Sequence, residues 1–293
     1  MERIECLQLI NTKHPHSKVE WINNGVMNYV AIVDKRLVYK FPRLEKNRKI
    51  LAYEAEVYDL FQDITSVRIP KTIELEQDNT YGVFTCVSGK FLSAHETSSL
   101  SKKNQLGLAK VLTEFIEEIN TNTMRTAFKI IYEKYSKLLS EGEIKDWLEK
   151  VAKYAATNPN KHTSHYLKLY QQLNERFPSG YGDKVMITHN DLHNENMLFD
   201  ENNKLIGIID FGDMRFGSLT EELRTVYRFG ETTTSELLKS LDSYNTGDDM
   251  AGLRLFSITY EYGVLIEESF MNKQKRKERL LIAADLLNKW GEV

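Results

Sequence analysis

Hydrophobic and polar residues alternate with a period of two in the first third of the chain. Several short runs there are rich in β-branched and aromatic residues and are bounded by turn residues, which predicts strands over residues 18–22, 28–33, 36–41, 71–77 and 81–87. Over residues 48–64, apolar residues instead return every three or four positions, which predicts an amphipathic helix. The pattern therefore indicates a small β-rich lobe with one helix packed on it.

A helical period takes over further along the chain. Residues 102–177 form a series of amphipathic segments separated by Asn, Gly, Thr and Pro, and the same pattern resumes after residue 213. The change in pattern occurs near residues 85–90. We therefore predict an α+β, two-lobed fold, with a small β-rich N-terminal lobe over residues 1–86 and a larger, mainly helical C-terminal lobe over residues 87–293.

Composition and charge narrow the class of protein. The 293 residues are 41% hydrophobic, and 39 basic against 42 acidic side chains leave a net charge of -3. This balance offers no basic surface to nucleic acid or to anionic membranes, so we expect neither as a partner. The acidic N-terminus does not have the pattern of a signal peptide, and no apolar run is long enough to span a bilayer. With Cys6 and Cys86 expected as free, buried thiols, these features favour the cytoplasm.

Residues 187–213 place ionisable residues between apolar runs. The segment predicts a strand, a polar loop, a second strand, a tight turn and a last strand that ends at Asp210. This order should project Asp191 and Asn196 from one loop, and Asp210 from a strand end, into a shared space. Their oxygens are suitable ligands for Mg²⁺, with substrate phosphates completing the shell. The alternative is a set of turn and cap residues in a β-hairpin, but the joint spacing favours a metal site for phosphoryl transfer.

The spacing of this motif resembles that of a known family. His189-x-Asp191-x-x-x-x-Asn196, followed by Asp210 in an Asp-Phe-Gly segment, is similar to the aminoglycoside phosphotransferase and choline kinase family, relatives of the protein kinases. The resemblance implies a protein-kinase-like fold and a catalytic role for Asp191. It also implies that Asn196 and Asp210 hold the Mg²⁺ ions that bridge the phosphates of ATP or GTP. His189 and His193 would brace the loop.

A kinase site also needs a lysine on the nucleotide phosphates, held by an acid on a neighbouring helix. Lys40 lies in the third predicted strand on the same face as Val38. A single lysine in a strand is normally at the edge of the sheet or in solvent. The order of the predicted elements instead favours a position of Lys40 that faces a cleft. Glu54 and Glu56 compete as its partner. The family pattern favours Glu56, with Glu54 second, and only one can face Lys40 because positions two apart on a helix differ by about 200° in direction.

Two further segments would complete nucleotide binding by the same resemblance. Gly25 and Asn28 lie where the family has a phosphate-covering loop, although an ordinary β-turn is an equally good interpretation. The segment Phe-Thr-Cys-Val resembles the hinge whose backbone receives the nucleotide base, which implies contacts to the base near Thr85, Cys86 and Val87.

The chain departs from the family pattern after the Asp-Phe-Gly segment. An Asp-Pro followed by an Asp-Leu pair is common there, whereas this chain reads Phe-Gly-Ser-Leu-Thr-Glu-Glu-Leu over residues 216–223. We expect Glu222 to replace the aspartate that braces the catalytic loop. For Asp213, a hydrogen bond to local backbone and a functional role are equally good interpretations.

Substrate selection is expected in the C-terminal lobe, outside the motif. A helical segment there combines an aromatic residue with acids: Tyr260, Glu261, Glu267 and Glu268. Carboxylates pair with ammonium groups and aromatic rings stack on the apolar faces of sugars, a combination that suits a polycationic sugar. The alternative is an amphipathic helix with a solvated acidic stripe.

These features predict a small-molecule kinase with Mg²⁺ and ATP or GTP as cofactors. The predicted reaction transfers the terminal phosphoryl group of the nucleotide to a hydroxyl of an aminoglycoside antibiotic, conferring resistance. A kinase of choline, a sugar or a related metabolite is the first alternative, and a catalytically silent nucleotide-binding protein with a kinase-like fold is another. A protein-substrate kinase is disfavoured because no Ala-Pro-Glu segment follows Asp-Phe-Gly.

Overall fold

The computed structural model describes residues 2–22, 27–140, 144–177, 186–244 and 249–268. The chain divides into two compact units, each made of three segments. The first unit comprises Met1–Leu92, Glu114–Leu139 and Asn194–Met214, and the second comprises Ser93–Thr113, Ser140–His193 and Arg215–Val293. The lobe boundary at residues 86 and 87 stays a prediction.

Helices and strands follow the expected order, except that a short strand at Arg215–Gly217 lies where a helical pattern was expected to resume. The helices are α1 (Arg3–Lys13), α2 (Asn47–Phe61), α3 (Ala94–Ser98), α4 (Lys102–Ile119), α5 (Asn122–Ser140), α6 (Ile144–Thr157), α7 (Lys161–Arg176), α8 (Leu219–Leu223), α9 (Glu231–Ser240) and α10 (Met250–Glu268). The strands are β1 (Val19–Ile22), β2 (Asn28–Val33), β3 (Leu37–Pro42), β4 (Thr72–Leu75), β5 (Gly82–Thr85), β6 (Met186–Thr188), β7 (Met197–Phe199), β8 (Leu205–Ile208) and β9 (Arg215–Gly217).

The first unit contains an antiparallel sheet in the order β1-β2-β3-β5-β4. A tight turn joins β2 to β3, and its residues Asp34 and Lys35 have φ of 51° and 56°, the left-handed conformation that two-residue hairpin turns require. Alternation along β3 buries Tyr39 and Phe41 in one cluster with Cys6 and Ile10 of α1. Lys40, between them, is on the opposite face of the sheet, beside α2. The predicted β-rich lobe with a helix on it is confirmed.

The first unit also contains the turn after α2 and the hairpin formed by β7 and β8. Glu118 fixes that turn, because its two carboxylate oxygens accept backbone hydrogen bonds from Thr65 at 2.7 Å and Ser66 at 3.0 Å. In the hairpin, Met197 pairs with Ile208 in an antiparallel register. The hairpin leads directly into a short 3-10 helix, Phe211–Asp213.

The second unit is mainly helical. Its core is formed by α6, α7 and α10, with Leu148, Tyr166 and Phe256 fully buried. Strands β6 and β9 pair as a short antiparallel ladder, and α8 begins with a capping box in which Ser218 and Glu221 satisfy each other's backbone N–H groups. Within the described part of the chain, no helix is long and apolar enough to cross a membrane.

Candidate active site

Lys40 and Glu54 form a buried ion pair in the first unit. The distance from Lys40 Nζ to Glu54 Oε1 is 2.6 Å, and their side chains are 12% and 2% exposed. Lys40 Nζ also contacts Asp210 Oδ1 at 2.9 Å. Burial would lower the pKa of Lys40, but the carboxylates of Asp210 and Glu54 raise it well above its usual value. The lysine is therefore held as a fixed cation between two acids.

Glu56 does not take the partner that the sequence analysis favoured. Its Oε1 lies 2.5 Å from Lys134 Nζ and accepts a hydrogen bond of 2.7 Å from the Tyr135 hydroxyl, both on α5. The prediction that Glu56 pairs with Lys40 is wrong, and Glu54 is the partner. The physical reason is the phase of α2, which turns Glu54 towards the sheet with the buried residues of the helix and turns Glu56 towards α5.

Asp210 is held at two points. Its backbone N–H donates a 3.0 Å hydrogen bond to the hydroxyl of Tyr58, and its carboxylate contacts Lys40. The same Tyr58 hydroxyl donates to Glu54 Oε1 at 2.8 Å. Asp210 has φ of 68° and ψ of 68°, an uncommon conformation for a residue other than glycine. We call the closed set of contacts among Lys40, Glu54, Tyr58 and Asp210 the lysine ring.

Asn196 and Asp210 lie at the same end of the β7–β8 hairpin. Ile209, the residue before Asp210, donates its N–H to the carbonyl oxygen of Asn196 at 3.0 Å, which continues the strand ladder. Asn196 is buried, whereas the side chain of Asp210 is 53% exposed. An amide oxygen and an accessible carboxylate are hard donors, and Mg²⁺ is commonly bound by one or two such groups plus phosphates. The residues present therefore fit a magnesium ion.

In the second unit, Glu222 braces the start of the predicted catalytic loop. Its two carboxylate oxygens accept backbone hydrogen bonds from His189 at 3.0 Å and Asn190 at 2.8 Å. Glu222 is fully buried, and burial raises its pKa to about 7, although the two backbone donors and Arg224 act in the opposite direction. These two backbone hydrogen bonds are those expected if Glu222 replaces the aspartate that braces this loop in the family pattern.

Arg224 fixes the same loop from the other side. Its guanidinium donates to Asn190 Oδ1 at 3.0 Å and also to the carbonyl oxygen of Asn190. The guanidinium stacks over the ring of Tyr260, 4.8 Å from the ring centroid. Arg224 is not among the predicted site residues, although its position as a charged residue within the apolar segment Leu-Arg-Thr-Val is a signal that could have identified it.

Asp191 is positioned by this rigid loop and by a neighbouring histidine. Its Oδ2 lies 3.2 Å from His193 Nε2, and its side chain is 27% exposed. Burial alone would raise the pKa of Asp191, but the hydrogen bond from His193 and the charge of Arg224 hold that pKa below its usual range. Asp191 is therefore ionised at neutral pH, with part of its carboxylate accessible.

The model of the phosphotransferase enzyme family matches residues 18–256. The chain belongs to this family. It is accordingly a phosphotransferase that acts on hydroxyl groups. No curated protein matches the chain.

Solved structures share the fold of this phosphotransferase at low sequence identity. A GDP complex of a mutant of aminoglycoside 2'-phosphotransferase-IIIa has a TM-score of 0.74 and 21% identity, with 99% of each chain covered. A complex of APH(2")-IIa with streptomycin and ATP has a TM-score of 0.64 and 18% identity, covering 98% of this chain and 97% of the other. For macrolide 2'-phosphotransferase type I, the values are 0.57 and 13%, with 98% of each chain covered. These similarities confirm the predicted kinase-like fold.

The residues predicted to contact the nucleotide base lie at the end of β5. The backbone N–H groups of Thr85 and Cys86 donate to the carbonyl oxygens of Lys71 at 2.9 Å and Arg36 at 2.8 Å. Val87 lies against Gly207, where an added Cβ would come within 2.6 Å of Val87 Cγ1. A base contact from Thr85, Cys86 or Val87 stays a prediction.

The predicted phosphate-covering loop is only partly described. Asn28 begins β2 and pairs with Pro42 of β3. Gly25 lies outside the described residues. The role of Asn28 and Gly25 in phosphate binding therefore also stays a prediction.

The predicted acceptor residues on α10 have different environments. Glu261 is 1% exposed and forms an ion pair with Arg228, so it cannot offer a free carboxylate to a substrate, and its prediction as an acceptor residue is contradicted. Helix phase is again the reason, since position 261 faces the core of its unit. Glu267 is exposed and accepts a 2.9 Å hydrogen bond from Trp147 Nε1. The side chain of Glu268 lies outside the described residues.

Tyr260 is the aromatic member of this group and touches two other side chains. Its ring lies 5.4 Å from that of Trp147, centroid to centroid, and Arg224 covers it as described above. Trp147 was not singled out by the sequence analysis, because it belongs to α6, far from α10 in sequence. Trp147, Tyr260 and Glu267 thus form one surface group in the second unit.

Proposed function

We propose that the chain transfers the terminal phosphoryl group of ATP or GTP to a hydroxyl of an aminoglycoside and so confers resistance to it. The lysine ring carries this proposal. A lysine held as a cation beside an accessible aspartate is the arrangement that phosphoryl transfer needs for placing phosphates and a metal ion. Catalysis of this reaction depends mainly on positioning and on electrostatic stabilisation, which a rigid ring supplies.

Lys40, and the residues Asn196 and Asp210 at the end of the β7–β8 hairpin, have separate roles in this reaction. Lys40 binds the α and β phosphates, and Glu54 keeps its ammonium group in place. Asn196 and Asp210 hold Mg²⁺, which when bound neutralises charge on the phosphates. Because Asp210 contacts Lys40 as well, the ligand for the metal and the cation for the phosphates are fixed to each other.

Asp191 orients the acceptor hydroxyl and takes its proton. Its lowered pKa keeps it ionised, so it can accept a hydrogen bond from an alcohol at neutral pH. His193 Nε2 lies 3.2 Å from one carboxylate oxygen, Oδ2, and so helps to orient the carboxylate. The brace formed by Glu222 and the contacts of Arg224 keep the loop backbone in place during the transfer.

An aminoglycoside acceptor is supported by the surface group of the second unit. In this group the rings of Trp147 and Tyr260 are half-buried, and Glu267 offers an exposed carboxylate for an ammonium group. Structures that share the fold include complexes with kanamycin, streptomycin and gentamicin. For this chain, Glu267→Gln should raise the KM for an aminoglycoside and leave the KM for the nucleotide unchanged.

A kinase of another small alcohol is the second candidate. The observation that favours it is the burial of Glu261 against Arg228, which removes one of the acids expected to bind a polycation. An acceptor with a single positive charge, or with none, would need fewer free carboxylates.

The test is nucleotide consumption by the purified protein with Mg²⁺, measured separately with ATP and GTP. One panel of acceptors contains aminoglycosides, and a parallel panel contains choline, sugars and nucleosides. We expect an aminoglycoside to stimulate turnover, and we expect Asp191→Asn to abolish that turnover while nucleotide still binds. Asp59→Asn, at an exposed position of α2, is the matched control and should behave like the wild type.

Three results would change the conclusion. Stimulation only by the second panel would select the other small-alcohol kinase. Full turnover in Asp191→Asn would remove the assignment of the catalytic carboxylate. Absence of Mg²⁺-dependent nucleotide binding in the wild type would contradict a kinase of either kind.

A further inference from the structure

Tyr58 is the member of the lysine ring that the phosphoryl-transfer chemistry does not itself require. It lies one helical turn after Glu54 on α2 and is 1% exposed. Its hydroxyl uses both of its hydrogen-bonding functions, donating to Glu54 Oε1 at 2.8 Å and accepting from the Asp210 N–H at 3.0 Å. We propose that Tyr58 is a positioning residue that orients Asp210 for Mg²⁺-nucleotide binding.

The hydroxyl links the carboxylate of Glu54 to the backbone of Asp210. Glu54 Oε1 receives both Lys40 at 2.6 Å and Tyr58 at 2.8 Å. Lys40 then holds the carboxylate of Asp210, while Tyr58 holds its backbone. These two contacts fix both the position of Asp210 and the direction of its side chain. The ion pair with Lys40 alone would allow the side chain to rotate.

Asp210 needs such support because of its own conformation. Its φ of 68° lies in the left-handed region, which is unfavourable for a residue with a Cβ and persists only when surrounding contacts impose it. Its side chain is 53% exposed, so packing around the carboxylate does not fix the direction. The hydrogen bond to Tyr58 acts directly on the strained backbone.

The ring of Tyr58 has a packing role that can be separated from that of its hydroxyl. The ring centroid lies 5.1 Å from that of Phe211 and 5.5 Å from that of Phe84. Burial and the charge of Glu54 raise the pKa of Tyr58 well above its usual value, so the hydroxyl keeps its proton and remains a donor. Tyr58→Phe therefore removes one oxygen and leaves the aromatic contacts in place.

The experiment compares nucleotide binding with and without the metal. The wild type and Tyr58→Phe are titrated with nucleotide in a calorimeter, once with Mg²⁺ and once with EDTA. Steady-state turnover of both proteins is then measured. In Mg²⁺, Tyr58→Phe should bind nucleotide about tenfold more weakly than the wild type, as expected for loss of a buried hydrogen bond to a charged network. In EDTA, affinity should be unchanged, because Lys40 keeps its pair with Glu54. The kcat should fall at saturating nucleotide, and the thermal unfolding midpoint should stay close to that of the wild type.

Tyr135→Phe is the matched control. The Tyr135 hydroxyl donates to Glu56, the other glutamate of the same helix, at 2.7 Å and touches no member of the lysine ring. This variant loses the same atom from the same kind of contact. It should match the wild type in both titrations and in turnover.

The outcomes separate this inference from the proposed function on which it rests. If the wild type shows Mg²⁺-dependent nucleotide binding and Tyr58→Phe shows the same affinity, the inference is overturned and the kinase proposal stands. Equal weakening of Tyr58→Phe in Mg²⁺ and in EDTA would show general damage to the site and would also overturn it. If the wild type itself has no Mg²⁺-dependent binding, both the proposed function and the inference fail.

Discussion

Two glutamates of α2, two positions apart, have opposite environments. Glu54 is 2% exposed and pairs with Lys40 of the sheet, itself 12% exposed. Glu56 is 35% exposed and pairs with Lys134 of α5, which is 59% exposed. Both ion pairs join a lysine to a glutamate over similar distances, 2.6 Å and 2.5 Å, but only the pair of Lys40 and Glu54 is buried. Burial, and not proximity of charges, therefore distinguishes the pair proposed to bind phosphates from the pair with Lys134.

The difference has an energetic consequence. A buried charge that loses its partner is left in a poorly solvated environment, which costs roughly 3–5 kcal/mol, whereas exposed pairs contribute about 0–1 kcal/mol. Each side of α2 can thus be tested by removing charge from one glutamate at a time. The second unit offers a third case, Glu222, which is fully buried and receives backbone donors instead of a lysine.

The largest effect is expected for Glu54→Gln. This change removes the buried carboxylate that holds Lys40 and leaves the lysine with the more exposed carboxylate of Asp210, so turnover should fall at least 100-fold, with a loss of unfolding free energy of about 3 kcal/mol. The double variant Lys40→Met, Glu54→Gln also removes the buried ammonium group, so stability should partly return while turnover does not. Chemical denaturation and steady-state kinetics measure the two quantities. Normal turnover in Glu54→Gln would show that the pair has no part in the reaction.

Glu222→Gln should change the free energy of unfolding by an amount that depends on pH. Because the folded-state pKa of Glu222 is raised to about 7, the folded protein binds this proton more tightly than the unfolded chain does. The contribution of Glu222 is therefore most favourable below the unfolded pKa and falls as pH rises towards 7, by roughly 3 kcal/mol at about 1.4 kcal/mol per unit.

The difference between the wild type and Glu222→Gln isolates that contribution. Denaturation curves at several pH values between 5 and 8 should show the wild type losing stability relative to the variant as pH rises. A constant difference across this range would mean that Glu222 does not titrate there.

Glu118→Gln tests a glutamate that has hydrogen-bond donors and no lysine in its described contacts. Its carboxylate accepts from the backbone N–H and the hydroxyl of both Thr65 and Ser66, which fixes the turn after α2. An amide can accept through only one oxygen, so we expect a loss of about 1–2 kcal/mol in unfolding free energy. Turnover per folded molecule should change little. Urea denaturation of the two proteins at pH 7 gives the comparison, and unchanged stability would contradict this role for Glu118.

The smallest effect is expected for Glu56→Gln. The pair with Lys134 is exposed, so its loss should cost below about 1 kcal/mol. Nucleotide binding and turnover should match the wild type. A large loss of turnover in this variant, with Glu54→Gln near normal, would restore the pairing that the family pattern favoured and would contradict the observed one.

The strands, the helical segments and the Asp-Phe-Gly motif could be predicted because their signals are local. Alternation identified the strand of Lys40, whereas the grouping of Asp191 with Asn196 and Asp210, inferred from spacing, stays a prediction. The choice between Glu54 and Glu56 could not be made in this way, since it depends on which face of α2 meets the sheet. The same limit applies to Glu261, whose partner Arg228 lies outside its helix.

Contacts between residues far apart in sequence also could not be predicted from local patterns. Tyr58 meets Asp210 across more than half the chain, and Arg224 meets Asn190 through a fold that brings α8 next to the catalytic loop. A tyrosine on an amphipathic helix is not unusual, and the position of Arg224 within an apolar segment does not indicate which residue it meets. A buried hydroxyl or guanidinium reveals its function only when its partners are known.

The most direct measurement is mass spectrometry of the acceptor after incubation with nucleotide and Mg²⁺. The wild type should convert an aminoglycoside to a product carrying one added phosphoryl group, and Asp191→Asn should give none while still binding nucleotide. Product formation by Asp191→Asn at the wild-type rate would contradict the account, as would a wild type that binds nucleotide but phosphorylates no acceptor in either panel.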